Sequence, residues 1–236
     1  MPASLPHLGR IAVGRVALAA ALALAGAAGC SRGQIQGIRP APQYTLTNQL
    51  GQRVPSSSLR GKVQIVTFLF PYCTTYCPLI AQRLATFEHA RERDGLADRV
   101  QIVAFNVDPT GSGPKAMSAF MREYGWNPSD THWQYLTGSA AEIHRVVRDG
   151  YMIDYERVTL AEEARDEALE KKAGTYVAEP EVQNKVADAA HVDYDVVHND
   201  LLEIVSPTGE IVKIFDDAEK VRGAELLLAV QAAANQ

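Results

Sequence analysis

Val63-Gln64-Ile65-Val66-Thr67-Phe68-Leu69-Phe70, followed by Pro71-Tyr72-Cys73-Thr74-Thr75-Tyr76-Cys77-Pro78, reads as a buried strand, a short loop with two thiols, and the first turn of a helix. The first eight residues are a β-branched and aromatic run of the kind that fills an interior strand. Pro78 suits an opening helical turn, where its missing N–H has no partner to lose. Cys77 is therefore expected at a helix N-terminus. There the free N–H groups and the positive end of the helix dipole favour a thiolate, the form that attacks disulfides and binds soft metals.

Outward from this stretch the chain alternates strand and helix patterns. Tyr44 to Asn48 reads as a strand, and Leu79 to Arg93 as an amphipathic helix with Leu79, Leu84 and Phe87 available for its buried side and Gly95 at its end. A strand at Val100 to Val107, a helix at Lys115 to Tyr124, a strand at Trp133 to Leu136 and a helix at Ala140 to Arg148, closed by Gly150, follow. Met117 and Met121, one helical turn apart, are expected in the core. Leu201 to Val205 and Ile211 to Phe215 flank Pro207-Thr208-Gly209, a hairpin signal, ahead of a last helix from about Glu219 to Ala233. This order predicts an α/β fold, a thioredoxin-like sandwich. One segment breaks the alternation: residues 157–190 contain Leu160 to Lys172, rich in Ala, Leu, Glu and Lys, and a second possible helix at Glu179 to Ala189. They predict an inserted, acidic, helical segment, either a solvated flap or an arm that docks a partner or covers the thiols.

Residues 1–29 carry Arg10 and Arg15, no acidic residue, the apolar run Val16 to Ala28, and then Ala27-Ala28-Gly29 before Cys30. The run is too short to span a bilayer, and small residues ahead of a cysteine are the pattern of a bacterial lipoprotein signal. Residues 1–29 are thus expected to be a signal peptide, Cys30 the lipidated residue, and residues 30–43 a Gly- and Pro-containing tether of roughly 40 Å at full extension. Residues 44–236 then form the thioredoxin-like domain, on the outer or periplasmic side of a membrane. Loss of Arg10 and Arg15 reduces 23 basic residues to 21 against 28 acidic ones, a formal charge of −7, which argues against nucleic acid as a partner. Export also means an oxidising compartment, so Cys73 and Cys77 need a thiol reductant or a bound metal to escape a disulfide.

A Cys-x3-Cys loop is wider than the Cys-x2-Cys of most disulfide exchangers, and both sulfurs can turn toward one ion if a third ligand arrives from elsewhere. Of six histidines, His7 leaves with the signal, and His89, His132 and His144 belong to elements away from the thiols, which leaves His191 and His198. His198, in Asp195-Val196-Val197-His198-Asn199-Asp200, precedes the hairpin strand that in a thioredoxin-like fold runs beside the thiol loop. Two thiolates and an imidazole satisfy Cu(I), and with a further oxygen ligand Cu(II) as well. A structural zinc site would want a fourth protein ligand.

The order of Cys73-x3-Cys77-Pro78, Asn106-Val107-Asp108-Pro109, Asp193-Tyr194 with His198, and a Pro-x-Gly hairpin resembles the Sco/SenC family of membrane-anchored copper chaperones. The resemblance covers most of Tyr44 to Ala233 apart from the inserted segment. It implies a thioredoxin-like fold, copper as the metal, Cys73, Cys77 and His198 as its ligands, and the copper-bearing subunit of cytochrome c oxidase, or another copper acceptor, as the partner. Two positions depart from the family pattern: Thr74 stands where proline usually follows the first cysteine, and Val197 where an aspartate often precedes the histidine. The rival expectation is an exported thiol–disulfide oxidoreductase, with Cys73 and Cys77 as its redox pair, reducing a partner's cysteines. Such reductases usually place a cis-proline just before the hairpin strand. This chain has His198-Asn199 there and no proline until Pro207.

Overall fold

The computed structural model describes residues 36–235. Cys30 and the expected signal peptide lie outside the described residues. The central parallel strands are β4 (Val63–Leu69), β5 (Val100–Asn106) and β6 (Trp133–Thr137), paired in that order. Every residue of β4 and β5 is buried, which explains why the sequence there is mostly apolar rather than alternating. Beyond β4 the sheet continues antiparallel through β9 (Leu202–Val205), β10 (Glu210–Phe215) and the short β1 (Arg39–Pro40). Beyond β6 lie β2 (Thr45–Asn48) and β3 (Arg53–Pro55). The β9–β10 connection turns at Gly209, whose φ of 90° is open to glycine at little cost.

Among the described residues six α-helices accompany the sheets: α1 (Tyr76–Arg93), α2 (Pro114–Glu123), α3 (Ala140–Ile143, continued as a π-turn over His144–Arg148), α4 (Leu160–Ala173), α5 (Lys185–Ala190) and α6 (Gly223–Ala233). α1 packs on α6 and buries Ile80, Ala81, Leu84 and Phe87. Leu79, expected on the buried side, is only half-buried, because the helix begins at Tyr76 and its apolar face is set by Cys77, Ile80, Ala81 and Leu84. Met117 and Met121 are fully buried on α2, as expected.

Two features depart from the sequence expectation. The segment 157–190 is not helical throughout: it is entered by β7 (Tyr155–Thr159) and left by β8 (Tyr194–His198), which pair with each other in a separate two-stranded sheet. Neither strand alternates cleanly in polarity, so neither was legible from periodicity. Second, residues 38–41, placed by composition within the tether, run along the edge of the sheet, with Ile38 N–H donating to Ile211 O (2.7 Å) and Ala41 N–H to Gly209 O (2.9 Å).

The reason is a long-range ion pair. Arg39 Nη2 lies 2.9 Å from Oε1 of the buried Glu203 and donates to Tyr151 O at 2.7 Å. Burial pushes the Glu203 carboxyl up to about 7 from 4.5, although Arg39 pulls the other way. A carboxyl whose pKa is raised by folding binds its proton more tightly in the fold, so its contribution is fully present below pH 4.5 and is lost as pH rises through about 7. The melting temperature is therefore expected to fall between pH 5 and 7.5, and Glu203→Gln to reduce that slope. Thermal melts of both proteins across this range check it, and identical slopes would contradict it.

Candidate metal centre

The thiol loop is built between the end of β4 and the start of α1. Cys73 N–H donates back to Phe70 O (3.1 Å), and Phe70 N–H donates to Cys77 Sγ (3.4 Å), so the loop folds over its own strand end. Both cysteines are free thiols and both are buried, Cys77 fully and Cys73 to within 6%. The structure assigns the two sulfurs opposite characters. Cys73 Sγ accepts from Thr75 N–H (3.5 Å) and contacts Thr75 Oγ1 (3.4 Å). The Cys77 hydrogen bond, followed by these Thr75 contacts, holds the Cys73 thiol below its ordinary range against the effect of burial. Cys77 is driven well above its ordinary range by burial first, and then by its bond to Cys73.

The expectation of a thiolate at Cys77 is thus corrected. Cys77 does occupy the helix N-terminus, yet the N–H exposed there that reaches a sulfur, that of the N-cap Thr75, serves Cys73. Desolvation of a fully enclosed sulfur outweighs the dipole. Of the two, Cys73 is the thiol that loses its proton more readily.

His198, the last residue of β8, comes to this pair from the far end of the chain. Its Nε2 stands 3.6 Å from Cys77 Sγ, and its Nδ1 stands 3.1 Å from Asn199 O. A carbonyl only accepts, so Nδ1 carries the proton and Nε2 presents its lone pair to the sulfur. Burial lowers the His198 pKa, which keeps the ring neutral and ready to ligate. His191 takes no part: it is exposed and ends α5 with φ 50°. Cys73 and His198 line one small cavity of about 80 Å³, rimmed by Glu163, Glu179, Asp195 and Asp200. Burial and the carboxylates of Glu219 and Glu179 push Asp200 up to about 7. The crowding of four carboxyl groups at this rim makes the mouth acidic and favours cations over anions there. Among the described residues no three His, Cys, Asp or Glu side chains form a ready-made metal cluster. The two sulfurs and the imidazole lie together as donors of the right softness, without being arranged around a point.

A second network ties β7 and β8 to the main sheet beside this site. Asp108, just after β5, accepts from Gly111 N–H (3.2 Å), as a strand-ending turn requires. It also accepts from Tyr194 Oη (2.8 Å) and pairs with Arg157, whose guanidinium lies 4.0 Å over the Tyr194 ring. A Cβ at Gly111 would meet the side-chain ends of Tyr194, Arg157 and Asp108, so any larger residue there would have to displace this network. Composition gave no sign that Arg157 and Tyr194 converge on Asp108. Asn184, which reaches the thiol loop from the insertion, was also missed. The sequence did carry one signal for it, an N-cap residue ahead of Lys185-Val186-Ala187.

A thioredoxin-like fold with a buried dithiol at a helix N-terminus and a histidine delivered by the strand before the hairpin defines the class of protein. The SCO1/SenC family pattern matches residues 33–187, a span that includes both thiols and ends before His198. The chain is 25% identical over 191 residues to the SCO1 protein homolog of Bacillus subtilis, covering 80% of each. It superposes on a SCO1/SenC family lipoprotein from Bacillus anthracis with a TM-score of 0.62 at 20% identity, covering 83% of this chain and 95% of the other. On copper-bound ScoI from Bradyrhizobium japonicum the TM-score is 0.59 at 22% identity, covering 82% and 99%. The chain belongs to the SCO1/SenC family.

Proposed function

We propose that this chain is a membrane-tethered copper chaperone that carries copper on Cys73, Cys77 and His198 and delivers it to the copper-bearing subunit of cytochrome c oxidase. The observation that carries the reading is the contact between Cys77 Sγ and the lone-pair nitrogen of His198, 121 residues apart in sequence, on a cavity that Cys73 also lines. Two soft sulfurs and one neutral imidazole suit Cu(I) and, with an added oxygen ligand, Cu(II). Bound copper would supply the cargo, while the chain's own groups hold it dry and set the proton state of each ligand. Relatives support the reading: family structures from Bradyrhizobium japonicum and Arabidopsis thaliana hold copper, and another solved relative, BsSco, is described as a member of the Sco family of cytochrome c oxidase assembly proteins.

In the same proposal residues 1–29 are the export signal, Cys30 bears the lipid, the residues between Cys30 and the sheet edge at Ile38 lead from the membrane, and the rest of the chain forms the working domain. No helix among the described residues is long and apolar enough to cross a membrane. Cys30→Ser is expected to move the protein from the membrane to the soluble exported fraction. Fractionation followed by immunoblotting checks this, and full membrane retention would contradict it.

A second reading, thiol–disulfide exchange with a partner, is favoured by the asymmetry of the thiols: Cys73, the less enclosed sulfur, has the Thr75 N–H and hydroxyl beside it, while Cys77 is fully enclosed, the division expected between an attacking and a resolving thiol. Oxidase activity at limiting copper in cells carrying His198→Ala separates the two. A chaperone loses delivery while its dithiol survives. Normal oxidase activity, together with a trapped mixed disulfide in Cys77→Ser cells, would promote the exchange reading.

A further inference from the structure

The insertion does more than project into solvent. Its first helix, α4, buries no side chain, but the chain that follows returns to the thiol loop and bonds to it at three carbonyls. Val182 N–H donates to Thr74 O at 2.7 Å. The Asn184 side-chain amide donates to Pro71 O at 3.0 Å and to Cys73 O at 2.7 Å. Asn184 is 1% exposed, and its carbonyl oxygen accepts from Val186 N–H (2.9 Å) and Ala187 N–H (3.2 Å), which caps α5. The base of α5 is anchored in turn to α2, because the Glu123 carboxylate accepts from Lys185 N–H (2.8 Å) and Val186 N–H (3.3 Å). Tyr124 Oη completes the anchorage by donating to Gln183 O (3.3 Å).

A loop such as Pro71 to Thr75 must otherwise leave these carbonyls to water or unpaired, and buried unpaired carbonyls are costly. One fully buried amide here satisfies two of them and fixes the helix that carries it. We propose that Asn184 is a positioning residue for the dithiol: through it, the segment 182–187 of the insertion straps the Cys73–Cys77 loop and sets where Cys73 stands relative to Cys77 and His198. This deepens the copper reading, and one arm of its test stands apart from copper.

Asn184→Ser retains an oxygen to cap α5 but has no amide group for the two loop carbonyls. In the full-length reduced chain, modification of Cys73 by iodoacetamide at fixed pH, followed by mass spectrometry, is expected to accelerate about tenfold, as two lost buried hydrogen bonds shift the local opening equilibrium. Loaded with Cu(II), the variant should bind about tenfold more weakly and show displaced sulfur-to-copper charge-transfer bands, the effect of loosening a group that orients a ligand. A merely structural role would lower the melting temperature without moving those bands. Unchanged alkylation and unchanged spectra in both Asn184→Ser and Asn184→Ala would overturn the proposal. Hydrogen exchange of the unaltered chain covers the case in which the variants do not fold: the Val182 amide is expected to be protected, and complete exchange on mixing would overturn the proposal equally. Should the unaltered chain take up no copper, the copper reading falls, while the alkylation and exchange results still decide the role of Asn184.

Discussion

Cys73→Ser and Cys77→Ser are each expected to lower Cu(I) affinity by more than about 100-fold, beyond the loss that follows from disturbing a group outside the ligand set. Cu(I) prefers thiolates, a serine hydroxyl does not replace one, and the remaining sulfur with His198 forms a weaker pair. The fold should survive both changes. At position 77 a hydroxyl can still accept from Phe70 N–H and donate to His198 Nε2, the two neighbours that now face the sulfur at 3.4 and 3.6 Å. The substitutions should differ in thiol chemistry. Cys77→Ser removes the hydrogen bond that does most to lower the Cys73 thiol but keeps that thiol and its Thr75 contacts, so it should form adducts with added disulfides that it cannot resolve, whereas Cys73→Ser leaves only the enclosed Cys77 and should be nearly inert. Competition with a Cu(I) chelator measures the first effect and mass spectrometry of mixed disulfides the second. Tight Cu(I) binding by either variant would remove that sulfur from the site.

His198→Ala should split the two oxidation states. Two sulfurs suffice for Cu(I), so Cu(I) affinity should fall only modestly, whereas Cu(II), which prefers more ligands with nitrogen among them, should be lost almost completely. The pH dependence follows from the same residue. Because burial lowers the His198 pKa below 6.5, protons do not compete with copper for Nε2 until the pH falls below the ordinary imidazole range. Cu(II) binding by the unaltered chain should therefore hold steady from pH 8 down to 6.5 as far as this ligand is concerned. Titrations monitored by visible absorption and electron paramagnetic resonance check both points. Cu(II) spectra unchanged by His198→Ala would mean that another nitrogen serves the metal.

The central strands, α1 and the hairpin were legible in the sequence because each rests on a local signal: a continuous β-branched run for β4, Pro78 near a helix start, Pro207-Thr208-Gly209 for the turn. The convergence of Cys73, Cys77 and His198 was legible at the level of topology, since the strand before the hairpin lies beside the thiol loop. What stayed hidden depends on pairs far apart in sequence. Arg39 looks like a tether residue until Glu203 is seen buried behind it. Arg157 looks like an ordinary insertion residue, and Tyr194 only like part of a motif, until both meet Asp108. Asn184 gave a cap signal but no hint of the Pro71 and Cys73 carbonyls that it holds. The ionisation order of the thiols was misjudged because the dipole argument is local and desolvation is not: enclosing Cys77 on every side is a property of the assembled core.

Anaerobic loading of the fully reduced chain with Cu(I), followed by removal of loosely held metal, copper analysis and X-ray absorption at the copper edge, tests the central claim most directly. Equimolar copper with two sulfur neighbours and one nitrogen is the predicted result. Substoichiometric copper, or a copper shell without sulfur, would contradict it.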